Sequence, residues 1–268
     1  MVSFPGCKIN LGLHILRRRP DGFHDLDTCF YPLPWSDVLE WLPADTLSFA
    51  STGLPIPGAE EDNLCLKAYH LLRREHSLPP AQGHLHKIVP MGAGLGGGSA
   101  DGAFTLRSLN ELFSLNLSIS QLTEYARQLG SDCACFLLNG AARGTGRGDH
   151  LEPLNLQLRG YYLVLVTPPV HVSTAQAYAG VTPRQPDEAL TLTLARPLRE
   201  WKDVLVNDFE PTVFARFPEL AAIKEKMYAN GALYASMSGS GSSIFGIFPD
   251  EVDREKNFPS LPGWSGWL

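Results

Sequence analysis

The sequence predicts an α+β fold with two lobes, because strand-like and helix-like segments occur together in both halves of the chain. Its 268 residues exceed one typical domain of about 150 residues. Hydrophobic residues make up 44%, as expected for a globular protein with a sizeable core. A polar, glycine-rich segment at 140–153 interrupts these elements, so we predict one domain at 1–153 and a second at 154–268.

The first strands and the first helix are predicted from hydrophobic periodicity. Residues 8–16 alternate between apolar and polar side chains, which indicates a half-buried strand with one polar face. Further strands are expected at 24–33, 46–51 and 84–89. A helix is expected to begin after an N-cap at Asp62 or Asn63 and to end near His76.

Two more helices follow a cluster of glycines. Ser99 is predicted to cap the first of them, which runs to about Phe113. Ser118, with Gln121 three residues later, has the spacing of a capping box for the second helix. Gly130 is a natural stop for that helix.

The second half of the chain is predicted to add a sheet and a helix. A continuous apolar run indicates a central strand at 161–169, and a helix is expected at 218–230. Strands at 232–238 and 244–248 flank a second loop of small residues, GSGSS. The tail at 258–268 has no clear pattern, so no element is assigned to it.

Composition excludes several classes of protein. The 22 basic and 28 acidic residues give a net charge of −6, whereas nucleic-acid binding relies on clustered Lys and Arg. No apolar stretch approaches the roughly 18 residues of a membrane span, and the N-terminus does not resemble a signal peptide. We therefore expect a cytoplasmic protein with neither nucleic acid nor membrane as a partner. The expected oligomeric state is a monomer or weak homodimer.

The cysteines and histidines indicate neither disulfides nor a metal centre. The five cysteines are scattered and odd in number, which favours buried reduced thiols. Cys133 and Cys135 lack a second pair or a suitable histidine, and no HExxH motif occurs. A metal ion held by protein ligands alone is not expected.

The segment GAGLGGGS at 92–99 places five glycines between a strand and a helix. Glycine permits left-handed backbone and close approach of a ligand, and the bare N–H groups at a helix N-terminus attract anions. The pattern therefore predicts a phosphate-binding loop, and a flexible turn is the structural alternative.

Three familiar nucleotide motifs do not fit this loop. Gly92, Gly94 and Gly97 satisfy GxGxxG, but the acidic residue that a dinucleotide site requires would be Glu111, inside a helix. No lysine follows Gly98, which excludes the Walker motif, and the downstream motifs of protein kinases are absent. We therefore predict a loop that binds a nucleoside triphosphate through a motif different from these three.

Three segments resemble the GHMP kinase superfamily in family order. PMGAGLGGGSADGA at 90–103 is similar to its phosphate-binding motif, and MSGSGSSIF at 237–245 is similar to its third motif. PGCKINLGLHILRRRPDGFHDLDT at 5–28 resembles the first motif of one branch. Members of that branch use ATP to phosphorylate the 2-hydroxyl of a cytidine-diphosphate-linked methylerythritol, in non-mevalonate isoprenoid (terpenoid) biosynthesis.

The resemblance implies a fold and a catalytic pair. The fold would combine an N-terminal ribosomal-protein-S5-domain-2-like lobe with a C-terminal ferredoxin-like α/β sandwich, with the active site in the cleft between them. Asp132 matches the catalytic aspartate that accepts or orients the hydroxyl proton, although capping the next helix is its structural alternative. Lys8 would hold the hydroxyl and Asp132 in register, and Asn10 shares its strand face.

The resemblance also implies that ATP is the donor, with Mg²⁺ carried by its phosphates rather than by a protein cage. The matched loop residues are Pro90, Met91, Gly92, Ala93, Gly94, Leu95, Gly96, Gly97, Gly98 and Ser99. The matched residues on the adenine side are Asn63, Leu64 and Lys87. Asn63 equally suits a helix cap, and Leu64 equally suits the core.

The implied acceptor is a small molecule that carries cytosine. The matched substrate residues are Asn10, Phe23, His24, Thr174, Tyr178, Gly239 and Gly241. Phe23 and His24 would meet the face and the edge of the base, with Tyr178 as a second stacking wall. Gly239 and Gly241 would bring the second loop close to the substrate phosphates or to the first glycine loop, and a tight turn explains them nearly as well.

Three other functions compete with this one. A GHMP kinase for mevalonate, homoserine or a sugar would have no base to stack, and the DGFH segment with Tyr178 argues against it. A non-catalytic sensor would not need both Lys8 and Asp132. A dinucleotide-binding module is the third alternative.

Overall fold

The computed structural model describes all 268 residues, and its mixture of strands and helices confirms the α+β class. The strands are β1 (Val2–Ser3), β2 (Gly6–Arg18), β3 (His24–Ser36), β4 (Val38–Pro43), β5 (Ser48–Gly53), β6 (Ala81–Lys87), β7 (Ala142–Gly146), β8 (His150–Pro153), β9 (Tyr162–Val166), β10 (Tyr234–Met237), β11 (Ile244–Phe248) and β12 (Gly263–Trp267). The α-helices are α1 (Leu64–His76), α2 (Gly97–Leu112), α3 (Ile119–Leu129), α4 (Thr174–Ala179), α5 (Leu190–Ala195), α6 (Trp201–Val204), α7 (Glu210–Arg216), α8 (Pro218–Ala229) and α9 (Arg254–Asn257). Short 3-10 helices lie at Glu60–Asp62, Cys133–Leu137 and Leu198–Glu200.

The backbone divides into two compact units, each built from segments that are distant in sequence. The first unit comprises Met1–Lys8, Pro32–Met91 and Gly96–Gly140, and the second comprises Ile9–Tyr31, Gly92–Leu95 and Ala141–Leu268. The glycine loop therefore contributes residues to both units. Because both units are discontinuous, they do not test the predicted boundary near residue 153, which stays a prediction.

The first unit contains a four-stranded sheet in the order β1-β4-β6-β5, together with helices α1 to α3. Strand β4 is antiparallel to β1 and β6, and β5 is parallel to β6. Leu39 and Trp41 alternate with more exposed residues along β4, and Trp41 stacks on Tyr69 of α1. This alternation buries one face of the strand, as expected for a sheet covered by helices.

The predicted helix ends in this unit are confirmed for α1 and α3. Asn63 precedes α1, and its side chain accepts a hydrogen bond from the N–H of Cys65. Ser118 and Gln121 form a capping box at the start of α3, and Gly130 follows its last residue. Side-chain caps thus satisfy N–H groups that a helix cannot bond internally.

The second unit contains the sheet β10-β11-β9-β12 and most of a second sheet, in the order β2-β3-β7-β8. Every residue of β9 is buried, as its continuous apolar run predicts. The helices of this unit are short apart from α8, which lies near its predicted position. Val164 and Val166 of β9 pack with Leu220 and Met227 of α8 in its hydrophobic core.

Several strands differ from the sequence-based expectations. Strand β4 was not predicted, β6 begins and ends earlier than 84–89, and β7 with β8 forms a hairpin inside the glycine-rich segment. The tail contributes β12, which pairs with β9 although two of its five residues are glycine. Glycine has a low propensity for strands. The β7–β8 hairpin and β12 therefore form because they pair with neighbouring strands, and not because of their local sequence.

The five cysteines are buried and free, as predicted. Burial raises the pKa of the thiols of Cys7, Cys29 and Cys133 to about 12, so they stay protonated at neutral pH. No helix combines the length and apolar character that a bilayer crossing requires.

Candidate active site

The glycine loop ends at the start of α2, three residues earlier than predicted. Gly96, with a φ of 70°, is the N-cap residue, and no side chain caps this helix end. The predicted cap, Ser99, is the third helical residue. The prediction was wrong because glycines without Cβ atoms allow the helix to start inside the cluster.

Most of the other glycines in this segment are closely surrounded by protein atoms. Gly92 and Gly94, like Gly96, have left-handed φ angles, which are unfavourable for other residues. A Cβ atom on Gly97 would lie 3.1 Å from Nζ of Lys87, and one on Gly98 would lie 2.7 Å from Cε of Met91. Lys87 and Met91 therefore pack closely against the first residues of α2.

The catalytic pair implied by the sequence meets inside the first unit. Nζ of Lys8 lies 3.6 Å from Oδ2 of Asp132, and the side chain of Lys8 is 4% exposed against 35% for Asp132. The Lys8 side chain also passes the α2 start, because a Cβ atom on Gly96 would lie 3.3 Å from its Cε. An ammonium and a partly accessible carboxylate are thus adjacent, beside a helix end with free N–H groups.

Local structure explains why the Asp132 carboxylate is available. Asp132 follows the Gly130 stop of α3 and precedes the 3-10 helix Cys133–Leu137, but its side chain makes no capping hydrogen bond. The Sγ–H of Cys135 instead donates to the Asp132 carbonyl oxygen. The structure therefore does not show Asp132 as a side-chain cap of this 3-10 helix.

The second glycine loop packs against the first loop within the second unit. The hydroxyl of Ser238 donates to the Gly94 carbonyl at 2.9 Å, and the N–H of Ser243 donates to the Ala93 carbonyl at 3.2 Å. The Asn207 side chain holds the second loop by donating to the carbonyl of Gly239. The second loop was predicted to lie close to the substrate phosphates or to the first glycine loop. In the structure it contacts the first glycine loop.

Asn10, on β2, is tied into the same unit by both its backbone and its side chain. Its N–H donates to the hydroxyl of Ser238, and its Nδ2 donates to Oγ1 of Thr28 at 2.9 Å. Thr28 in turn donates to the Gly12 carbonyl. This network fixes the Asn10 side chain amide in one orientation.

The residues matched to cytosine recognition are close together in the second unit. His24 and Tyr178 stack with ring centroids 4.7 Å apart, so no base fits between them, because that would need roughly 7 Å, twice a van der Waals contact. The third aromatic, Phe23, is 51% exposed and has the guanidinium of Arg147 4.0 Å from its ring centroid. Thr174 lies within 3.4 Å of the Ser240 hydroxyl, next to the second loop.

Burial lowers the pKa of His24, with a smaller contribution from Arg18. A neutral imidazole has one donor and one acceptor nitrogen, and the cytosine edge also presents both. His24 is thus suited to hydrogen-bond such an edge at neutral pH.

The residues matched to the adenine side have structural partners in the first unit. Asn63 caps α1, and Cβ of Leu64 lies 3.0 Å from where a Cβ on Gly102 of α2 would be. Lys87 is fully buried, with Nζ 2.5 Å from Asp37 and 2.6 Å from Asp101. A direct contact of these three residues with ATP stays a prediction.

Sequence reasoning did not identify Asp37, Asp101 or Ser238. Asp101 could have been noted as an acidic residue near the start of a helix that is predicted to bind phosphate. Asp37 and Ser238 give no such signal, because their importance depends on partners that are distant in sequence. No group of three or more His, Cys, Asp or Glu side chains is placed to hold a metal ion.

Two family models match this chain. The model of the GHMP kinases N terminal domain matches residues 63–140, which contain the glycine loop and Asp132. The model of the GHMP kinases C terminal domain matches residues 189–258, which contain the second glycine loop.

Two proteins of similar sequence and one of similar structure carry the name of the same kinase. The chain is 49% identical to the 4-diphosphocytidyl-2-C-methyl-D-erythritol kinase of Cytophaga hutchinsonii over 92% of each chain. It is 45% identical to the kinase of the same name from Parabacteroides distasonis over the full length of both. A crystal structure of 4-(cytidine 5'-diphospho)-2C-methyl-D-erythritol kinase is 33% identical, with a TM-score of 0.83 over 99% of this chain and 98% of that one. The chain belongs to the GHMP kinase family.

Proposed function

We propose that this chain transfers the γ-phosphoryl group of ATP to the 2-hydroxyl of 4-diphosphocytidyl-2-C-methyl-D-erythritol, a step of non-mevalonate isoprenoid biosynthesis. The observation that carries the chemistry is the Lys8–Asp132 pair beside the uncapped start of α2. The relatives that share the name of this activity are similar over nearly the whole chain, which supports the choice of acceptor.

The start of α2 fits a triphosphate. The first N–H groups of a helix have no internal partner, and the helix dipole adds a partial positive charge there. Since no side chain caps α2, the N–H groups of its first turn are left for phosphate oxygens. Mg²⁺ carried by ATP would neutralise part of the charge on the transferring group.

Lys8 and Asp132 act on the acceptor hydroxyl. The Asp132 carboxylate accepts or orients the hydroxyl proton, and the Lys8 ammonium holds that carboxylate while offsetting developing negative charge. Phosphoryl transfer has a loose transition state, so positioning and electrostatics supply most of the rate enhancement. The cytosine is recognised beside the His24–Tyr178 stack, with its hydrogen-bonding edge at the His24 imidazole, because the two rings are in contact and leave no room between them.

The test measures ADP release with a panel of acceptors. We expect turnover with cytidylylated methylerythritol, and none above background with mevalonate or homoserine, which lack a base for the His24–Tyr178 stack. Asp132→Asn is expected to lower kcat by about 10²- to 10⁴-fold while the Kd for ADP changes little, because the carboxylate acts on the acceptor.

Asp45→Asn is the matched control, since it removes an exposed carboxylate from a turn outside the site. Turnover of mevalonate in preference to the cytidylylated acceptor would refute the proposed substrate. Wild-type kcat in Asp132→Asn would refute the proposed role of this residue.

A further inference from the structure

Lys87 is the centre of a buried cluster of charges in the first unit. Its ammonium lies 2.5 Å from Oδ2 of Asp37 and 2.6 Å from Oδ2 of Asp101, and each of the three side chains is at most 4% exposed. We call Lys87, Asp37 and Asp101 the loop-clasp cluster. Its ammonium donates to a carboxylate from each of two segments that are distant in sequence.

The loop-clasp cluster joins the two ends of the glycine loop. Before the loop, Oδ1 of Asp37 accepts hydrogen bonds from the N–H groups of Ile88 and Val89, which directly precede Pro90. After the loop, Asp101 belongs to α2. The cluster thus connects the chain that enters the loop with the helix that leaves it.

The Lys87 ammonium also contacts the first turn of α2. A Cβ atom on Gly97 would lie 3.1 Å from Nζ and 3.2 Å from Cγ1 of Val89. The absence of a side chain at Gly97 therefore lets Lys87 and Val89 pack directly against the helix backbone. The N–H groups of this same turn are those assigned to the phosphates.

Stability alone is a poor explanation for such a cluster. Buried ion pairs are often no more stabilising than apolar residues of similar volume, because desolvation offsets their attraction. Here two carboxylates share one ammonium, and Oδ1 of Asp101 is buried without a hydrogen-bond partner. What the cluster provides is fixed geometry, because its hydrogen bonds are directional and link three segments.

We propose that the loop-clasp cluster is a positioning device, in which Lys87 holds the entry and exit of the glycine loop so that the amides at the start of α2 are aligned for the ATP phosphates. The proposal rests on the proposed function, since it assigns the loop to ATP. Lys87 then acts through the loop backbone, and its ammonium does not touch the nucleotide.

The test compares ADP binding by calorimetry in variants of the full chain. Lys87→Met and Asp101→Ala break the cluster and are expected to raise the Kd for ADP by about tenfold or more, because small misplacements of binding groups are costly. Asp101→Asn keeps an oxygen acceptor for Lys87, and its Kd is expected to stay within about threefold of the wild-type value. Leu72→Ala, in the buried core of α1, is the control for general destabilisation.

Steady-state kinetics provide the second measurement. We expect KM for ATP to rise in Lys87→Met and Asp101→Ala, with KM for the acceptor nearly unchanged. If Lys87→Met does not fold, Asp101→Ala carries the comparison, with folding checked by its thermal transition. A Kd for ADP in Asp101→Ala equal to that of Leu72→Ala would overturn the proposal. Failure of the wild-type chain to release ADP with the cytidylylated acceptor would instead overturn the proposed function, and the ADP-binding comparison would still decide the role of the cluster.

Discussion

At the scale of single residues, the glycine loop depends on the absence of side chains at defined positions. Gly94 has a φ of 79°, and a Cβ atom there would lie 2.0 Å from the carbonyl oxygen of Ser238. Gly160 has a similar φ of 89°, but nothing lies within 4 Å of a Cβ placed on it. Comparing alanine substitutions at these two glycines therefore separates the effect of backbone conformation on stability from the effect of crowding.

Gly94→Ala is expected to lower the free energy of unfolding more than Gly160→Ala. Both variants place alanine in the left-handed region, which costs about 1–2 kcal/mol. Only Gly94→Ala also forces the two glycine loops apart, and overpacking of this kind costs about 1–3 kcal/mol more. Urea denaturation measures both values, and equal losses would show that the close contact between the loops is not required.

At the scale of elements, amphipathic helices with polar caps could be predicted, whereas elements decided by tertiary contacts could not. Asn63 and Ser118 cap α1 and α3 as their sequences indicate. The start of α2 was placed wrongly, because Ser99 is the conventional cap and the sequence does not reveal that Gly96 takes that position. Strand β12 was not predicted, because its pairing with β9 outweighs its two glycines.

The junction of β6 and α2 makes stability depend on pH through Asp101. Burial raises the pKa of Asp101 to about 7, with a further increase from the neighbouring Asp37, although Lys87 opposes both. The thiol of Cys65 on α1 also faces this group, and burial keeps it protonated by raising its pKa. Between the ordinary carboxyl pKa and the raised one, the folded state holds a proton that the unfolded state has released. The contribution of Asp101 to stability therefore falls as the pH rises through this range.

Asp101→Asn removes this titration while keeping the size of the side chain. We expect the free energy of unfolding of the variant, relative to wild type, to increase between about pH 4 and about pH 7. Chemical denaturation at several pH values measures the free energy of unfolding of both proteins. The contributions of the other titrating groups cancel in the difference between variant and wild type. A difference that stays constant or decreases with pH would show that Asp101 is ionised throughout this range in the folded protein.

At the scale of the whole molecule, the family could be recognised from three motifs spread along the chain, and the family models match the segments that contain the second and third of them. The pairing of Lys8 with Asp132, which are far apart in sequence, agrees with what those motifs imply. The burial of Lys87 could not be predicted, because its partners Asp37 and Asp101 do not belong to a recognisable pattern. Sequence motifs identify residues that contact a ligand. Residues that hold those ligand-binding residues in place are identified only from the contacts in the folded structure.

The most direct test of the catalytic pair is a double-mutant cycle on kcat with the cytidylylated acceptor. Lys8→Met and Asp132→Asn are each expected to lower kcat by about 10²-fold or more, because each removes one of the two charges that act on the acceptor hydroxyl. If the two side chains act as one unit, the double variant should be no slower than the slower single variant. Fully additive losses, or a single variant that keeps wild-type kcat, would contradict the account.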